Sequence, residues 1–325
     1  MKICLLENHN TIYTGKDRND PKLRGAELAL INYAEELAAK NFDVTFLNNF
    51  NENFQFKNVK YNNINLETSN FDIAIANGDA NLFKYVKSKK NFLLSHSIQN
   101  FEKFFRKKQL IPFIKYKPKV ICFSNYHYNS RSFLTSFYGK EIIIPSIDNE
   151  FYKAELPLKT NNDVIFYSRG DRNGQLILKI WKDLFLNNSI KSKFYISKDL
   201  FIENEEMKKF NIIKKDFLPK NELIDFLKNF RLLIIPGHKG EVFCNVAEEA
   251  KALGIPIITM GMGALKERVK SNYNGFLCPN LEDFKIKILQ LLKDDDLYLK
   301  FRNNLIKDRG KNKWNNTVNS LINLF

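Results

Sequence analysis

Short apolar runs alternate with stretches of helical periodicity along the whole chain. In the first half "KICLL", "DVTFL", "FDIAIAN", "NFLLSH" and "KVICFS" read as strands, and "GAELALINYAEELAAK" reads as a helix between the first two. Strands separated by helices imply parallel βαβ units, because parallel neighbours need a crossover. The pattern breaks over residues 142–163, a polar, proline-bearing stretch, and restarts with "VIFYSRG", "KFYIS", "NIIKKDFL", "LLIIPG" and "IPIITMG". Helices are expected over 244–253 and 282–293. The fold class is therefore α/β, two doubly wound domains meeting in that broken stretch. Two such sheets facing a cleft would bind ligands at their strand C-termini.

A length of 325 residues with 44% hydrophobic content suits two cores. The balance of 51 basic against 36 acidic residues gives a formal charge of +15, spread along the chain rather than held in a tail. That charge fits anionic substrates, an anionic membrane surface or nucleic acid, and does not choose among them. Cys4, Cys122, Cys244 and Cys278 have no ligand-like spacing and read as buried thiols in a reducing cytosol. No stretch has the length of a signal peptide's apolar core or of a membrane span, so a cytoplasmic protein is expected.

The stretch "GHKGEVFCNVAEEAKALGIP", residues 237–256, concentrates candidate chemistry. The run "RLLIIPG" should end a strand near Pro236, and a helix should start near Cys244 and stop at Gly254 and Pro256. Its N-terminus would offer unpaired amides and a positive dipole end to an anion. Glu241 precedes the helix and Glu249 lies inside it. Carboxylates accept hydrogen bonds from hydroxyls and repel phosphate, so the pair suits flanking a diphosphate, as in a nucleotide sugar. Two glutamates on a solvated helix would give the same spacing.

At this point the sequence resembles glycosyltransferase family 4, retaining enzymes of GT-B architecture. Pro236, Glu241, Phe243, Glu249-Ala250 and Gly254-Ile255-Pro256 match its E-x7-E context. Further matches run in order: "RGAELALINYAEELAAKNFDVTFL" with Gly25, "LLSHS" with His96, "KVICFSNY", "IIIPSIDNEFY", "YSRGDRNG", "GMGALKE", "NYNGFLCPN" and the tryptophan helix "NKWNNTVNSLINLF". The resemblance implies an acceptor-side domain over 1–152, a nucleotide-sugar domain over 153–310, and a helix over 311–325 crossing back to the first. It implies transfer from a UDP- or GDP-linked sugar to a glycan or lipid-linked acceptor, with retained configuration and no metal or other cofactor. Bacterial polysaccharide biosynthesis is the setting the family's habit implies. Arg169, Glu241 and His96 would serve catalysis; Gly25, Arg172, Phe243, Cys244, Asn245, Glu249 and His238 would bind substrate. Glu267 is a lesser candidate. The sequence departs from the family at Asn173, where a lysine is usual, at Cys244, where a glycine is usual, and at Ser146.

His9 and His127 read as surface or packing residues, and four scattered histidines do not make a metal site. Asp294–Asp296 read as a helix cap rather than a metal motif. Residues 101–119 carry seven basic residues against Glu102 alone, with Phe101, Phe104 and Phe105 at helical spacing. This segment can lie on an anionic bilayer, at the inner face of the cell membrane, or pack its aromatic side on the sheet with its lysines in water. No nucleic-acid module accompanies it. Two rival readings of the chain stay open: a GT-B-like binder of nucleotide or glycan without turnover, and a basic module for membrane or nucleic-acid surfaces.

Overall fold

The computed structural model describes residues 1–7 and 12–325; His9 lies outside them. The chain divides into two units, Met1–Ser146 with Asn312–Phe325, and Ile147–Lys311. The division falls six residues before the expected end of the first domain. Its cause is local: Ile147 and Phe151 are buried in the core of the second unit, so the "IDNEFY" segment folds with that unit.

The first unit holds strands β1 (Lys2–Leu6), β2 (Asp43–Asn48), β3 (Phe54–Phe56), β4 (Val59–Asn63), β5 (Asn70–Asn77), β6 (Lys87–Leu94), β7 (Lys119–Cys122) and β8 (Lys140–Ile142). They form one sheet in the order β3-β4-β2-β1-β5-β6-β7-β8. Pairing is parallel except for the β3–β4 hairpin, which the period-two reading did not anticipate. The central strands are near-continuous runs of buried residues, as strands covered on both faces must be. Chain order reverses between β1 and β5, the point where open α/β sheets place ligands. Helix Gly25–Ala39 follows β1, and the returning helix Trp314–Ile322 packs on it, with the Trp314 ring edge-on to Tyr33 at 5.0 Å. Thr317 donates to the Ile144 carbonyl at 2.9 Å and fixes the return.

The second unit holds β9 (Val164–Phe166), β10 (Phe194–Ser197), β11 (Ile212–Lys215), β12 (Leu232–Ile234), β13 (Ile257–Thr259) and β14 (Gly275–Leu277), in the order β11-β10-β9-β12-β13-β14. All pairs are parallel, and the reversal lies between β9 and β12.

The basic segment is two short helices, Phe101–Arg106 and Leu110–Tyr116, with left-handed Lys108 in the turn between them. The three phenylalanines do not share one face: Phe104 is buried, while Phe101 and Phe105, one full turn apart, stack on each other in solvent. Asp294 accepts from the Leu297 amide at 2.9 Å and caps helix Asp295–Asp308, the role expected of it.

Candidate active site

The loops after β9 and β12 emerge side by side at the reversal of the second sheet, and the candidate residues gather on them. The β12 loop runs from Ile235 to Cys244 and enters helix Asn245–Ala252. Cys244, at the N-cap, has φ 72 and ψ 80, a left-handed conformation that favours glycine. The usual glycine here thus has a backbone reason, and Cys244 occupies the position as a buried thiol. A second close approach holds the loop from the β13 side. Gly263 has φ 70, and a Cβ there would sit 2.4 Å from the His238 carbonyl oxygen. The Ala264 amide donates to the Glu241 carbonyl at 2.9 Å.

Arg172 is the hub of the constellation. Its Nε lies 3.3 Å from Glu241 Oε1, and its Nη1 lies 2.8 Å from His238 Nδ1. The Gly240 amide also donates to His238 Nδ1, at 2.9 Å. An arginine can only donate, so His238 Nδ1 accepts and the ring carries its proton on Nε2. Burial pushes the Glu241 carboxyl above its ordinary value, against the pull of Arg172 and His238.

Arg169 is placed differently from expectation. β9 ends at Phe166, so Arg169 does not end the strand, and its guanidinium is engaged bidentately by Asp171, with its side chain about half exposed. Asn173 takes a left-handed conformation at the N-cap of helix Gly174–Asn187. Its side-chain amide donates to the Gly237 carbonyl at 2.5 Å, tying the two loops together where a lysine would have reached for a phosphate.

Glu249 lies on the inner side of helix Asn245–Ala252. Burial first, and Asp148 second, push its carboxyl up to about 7, with Lys220 opposing. Among the described residues no side chain hydrogen-bonds this carboxylate. Beside it Lys220 and Asp148 form an ion pair at 2.5 Å, both almost fully buried. Sequence reasoning missed this pair. Asp148 sits in the "IIIPSIDNEFY" stretch without an assigned role, and Lys220, in "LPKNEL", has the local signature of an ordinary helix start.

Phe243 is buried and its ring lies under the Arg268 guanidinium at 4.6 Å; Arg268 also donates to the Phe243 carbonyl at 3.1 Å and pairs with buried Glu248 at 3.5 Å. The Phe243 side chain braces the loop against Arg268. Asn245 begins the helix and is partly exposed, and Glu267 is exposed on helix Leu265–Arg268.

His96 and Gly25 belong to the first unit. Gly25 is the first residue of its helix rather than part of a loop. His96 follows β6, and its Nε2 lies 2.5 Å from Asn77 Oδ1 at the end of β5. The Asn77 amide nitrogen donates to Glu7 Oε2 at 2.5 Å, which fixes the amide's orientation. The His96 Nε2 therefore donates, and Nδ1 is left as an acceptor. Burial lowers His96 to about 4, so the ring is neutral at physiological pH. His127, also buried and lowered to about 3, is a core residue that accepts the Phe123 amide at 3.2 Å. Among the described residues no group of three or more His, Cys, Asp or Glu side chains could hold a metal, and no helix is long and apolar enough to cross a membrane.

Residues 198–308, within the second unit, match the family model described as glycosyl transferases group 1. An uncharacterized glycosyltransferase of Methanocaldococcus jannaschii is 35% identical over 79 residues, which span 24% of this chain and 22% of that relative. Among solved structures, sucrose-phosphate synthase of Thermosynechococcus elongatus superposes with a TM-score of 0.70 at 14% identity, covering 99% of this chain and 98% of the other. HepE of Anabaena, in complex with UDP-glucose, gives 0.69 at 15% identity over the whole of both chains. WaaG, a glycosyltransferase involved in lipopolysaccharide biosynthesis, gives 0.66 at 11% identity, covering 100% of this chain and 99% of the other. The chain has the GT-B fold of two Rossmann-like domains, and its second unit carries the glycosyl transferases group 1 segment.

Proposed function

We propose that this protein is a retaining, hexosyltransferase-type glycosyltransferase. It moves a sugar from a UDP- or GDP-linked donor to a glycan or lipid-linked acceptor in polysaccharide assembly, without a metal. The observation that carries the reading is the Arg172–Glu241–His238 constellation at the mouth of helix Asn245–Ala252, inside the unit that matches the group 1 family. The UDP-glucose in the Anabaena complex supports a UDP-linked donor.

In this reading the helix amides from Asn245 onward and Arg172 take the diphosphate, and Glu241 accepts bonds from sugar hydroxyls. Glu249 accepts from the ribose. The charge that grows on the β-phosphate as the glycosidic bond breaks is what Arg172 stabilises, and the leaving diphosphate takes the acceptor proton. Arg169, held by Asp171, adds long-range positive potential. His96 offers Nδ1 to a hydroxyl of the transferred sugar as a neutral acceptor, and Gly25 lets backbone approach the phosphates. The protein works in the cytoplasm, peripheral to the inner face of the membrane, with Phe105, Ile111 and Ile114 exposed among lysines as the contact.

Two measurements test this. UDP or GDP should raise the melting temperature in the presence of EDTA, by RT ln(1 + [L]/Kd) in stability. Slow hydrolysis of the matching nucleotide sugar should release the sugar with its original anomeric configuration, read by proton NMR. Nucleotide binding without hydrolysis or transfer would make the protein a binder, and restoration of activity by Mn²⁺ alone would remove metal independence.

A further inference from the structure

The first unit contains a cavity of about 160 Å³ lined by Ser95, Ser97, Gln99, Lys107, Gln109 and Arg131 among others, with His96 on its wall. Its polar walls are unbalanced. Arg131 is buried, and three of its N–H groups are met only by neutral oxygens: Nη1 donates to Ser95 Oγ at 2.8 Å, and Nε and Nη2 donate to the Thr135 carbonyl at 3.1 and 2.7 Å. A guanidinium has five such donors. Among the described residues no carboxylate pairs with Arg131, although a buried cation without a counter-charge is costly. Gln99 is 8% exposed, and its Nε2 has no hydrogen-bond partner. Lys103 donates to Ser97 Oγ at 2.8 Å, which adds a third cation to Arg131 and Lys107. Gln109 is saturated, giving its N–H groups to Asp79 and the Lys107 carbonyl, and Asp79 also accepts from Asn81 on the far side of Gln109.

An uncompensated buried guanidinium, an unpartnered buried amide and a lysine can all donate and none of the three charged or amide nitrogens can accept. We propose that this cavity is a subsite for a phosphate group on the acceptor. The inference rests on reading the first unit as the acceptor side. The cavity's wall and the exposed basic segment meet in the same stretch: Phe104 and Gln109 are buried against the cavity, exposed Lys107 lies at its rim, and Phe105 and Ile111 face solvent. A membrane lipid's phosphate can thus meet the cavity from the segment that touches the bilayer, and a soluble phosphate monoester presents the same chemistry.

The test is calorimetric titration of the full chain, saturated with UDP, first with inorganic phosphate and then with phosphatidylcholine vesicles containing phosphatidic acid. Phosphate should bind wild type, bind Gln99→Leu about tenfold more weakly, and bind Lys107→Gln several-fold more weakly. Arg131→Gln should lose the response, and Lys209→Gln, an exposed lysine of the second unit, should keep it. Gln99→Leu removes an orphaned donor without changing charge, so its melting temperature should hold or rise. If Gln99→Leu also binds the vesicles less well, the source is a lipid headgroup; if only free phosphate responds, it is a soluble acceptor. Phosphate affinity equal in wild type, Gln99→Leu and Lys107→Gln, or no phosphate binding in wild type, overturns the subsite. UDP binding is read separately, so a chain that takes phosphate but no nucleotide would instead sink the transferase reading.

Discussion

In the second unit Arg172 meets Glu241 at 3.3 Å and Lys220 meets Asp148 at 2.5 Å, whereas in the first unit Arg131 meets only hydroxyl and carbonyl oxygens. The histidines differ in the same way. His238 is held by a cation and an amide beside carboxylates, while His96 and His127 are kept neutral by burial. Both sites sit at strand C-termini on the same kind of sheet. The contrast teaches that the second unit has its charges arranged in pairs before any ligand arrives, a preorganised setting for charge that grows in a transition state. In the first unit the buried Arg131 is held by neutral oxygens alone, with Lys103 and Lys107 close by.

The largest effect is expected at the buried pair of the second unit. Asp148→Ala leaves the buried Lys220 ammonium without its ion-pair partner, and the expected loss is about 3–5 kcal/mol of stability. Urea unfolding reads it as a lower midpoint with unchanged slope. Replacing both partners, Asp148→Leu with Lys220→Met, should recover most of the loss. If the single and double variants are equally unstable, the pair matters for packing and not for charge.

Next in size is Arg172, the cation of the proposed donor site. Arg172→Ala should lower kcat by about 10²–10³-fold, because its contribution is larger in the transition state than in the ground state. Arg169→Ala should cost less than tenfold, since Asp171 already neutralises it and water screens the rest. A reversed ranking would show that Asp171 releases Arg169 when the donor binds. Local sequence reasoning ranked these two arginines the other way. Position after a strand favoured Arg169, and nothing in "RGDRNG" shows that Asp171 captures the first arginine and leaves the second to Glu241.

The strands and the E-x7-E helix were legible because period and punctuation act locally: "KICLL" became Lys2–Leu6, and the helix begins at Asn245 and ends before Gly254. The Asp148–Lys220 pair, the Arg131 environment and the bracing of Phe243 by Arg268 were not. Each joins residues far apart in the chain that only tertiary packing brings together, and no spacing rule encodes such a contact. The β3–β4 hairpin was missed for another reason, since its strands are three and five residues long and one of them is half exposed.

Burial sets the Glu249 carboxyl apart from an ordinary glutamate. Its ordinary value of 4.5 rises to about 7 in the folded chain, so the native state holds the proton more tightly than the unfolded state. The stability this contributes is fully present below pH 4.5 and is lost as pH rises through 7. Glu249→Gln, which cannot ionise, should therefore be the more stable protein above pH 7, by up to about 3 kcal/mol, with the difference vanishing near pH 4. The same variant should bind UDP about 10- to 100-fold more weakly, because a charged acceptor to the ribose is lost. Stabilisation together with weaker binding is the signature of a ligand group; a gain in stability with unchanged UDP affinity would leave Glu249 without a part in the site.

The smallest effects belong to the outer face of the first unit. Phe105 and Ile111 are 54% and 76% exposed, set among Lys103, Arg106, Lys107 and Lys108. Buried Phe104 anchors the first helix of the pair against the core, so changing its exposed neighbours leaves the fold intact. Lysines near an anionic surface contribute about 1 kcal/mol each, and that attraction is screened over about 8 Å at physiological salt. Apolar insertion is not screened in this way, so the two contributions separate by ionic strength. Lys103, Arg106, Lys107 and Lys108 changed together to glutamine should abolish co-sedimentation with phosphatidylglycerol vesicles at low salt. Phe105→Ser with Ile111→Ser should weaken it by roughly fivefold and should remove the part that survives at high salt. Nucleotide affinity should be unchanged in both, because the donor residues lie in the other unit. Wild-type protein that ignores such vesicles at low salt would make the segment an ordinary solvated surface, and a soluble acceptor would then be the better assignment for the transferase.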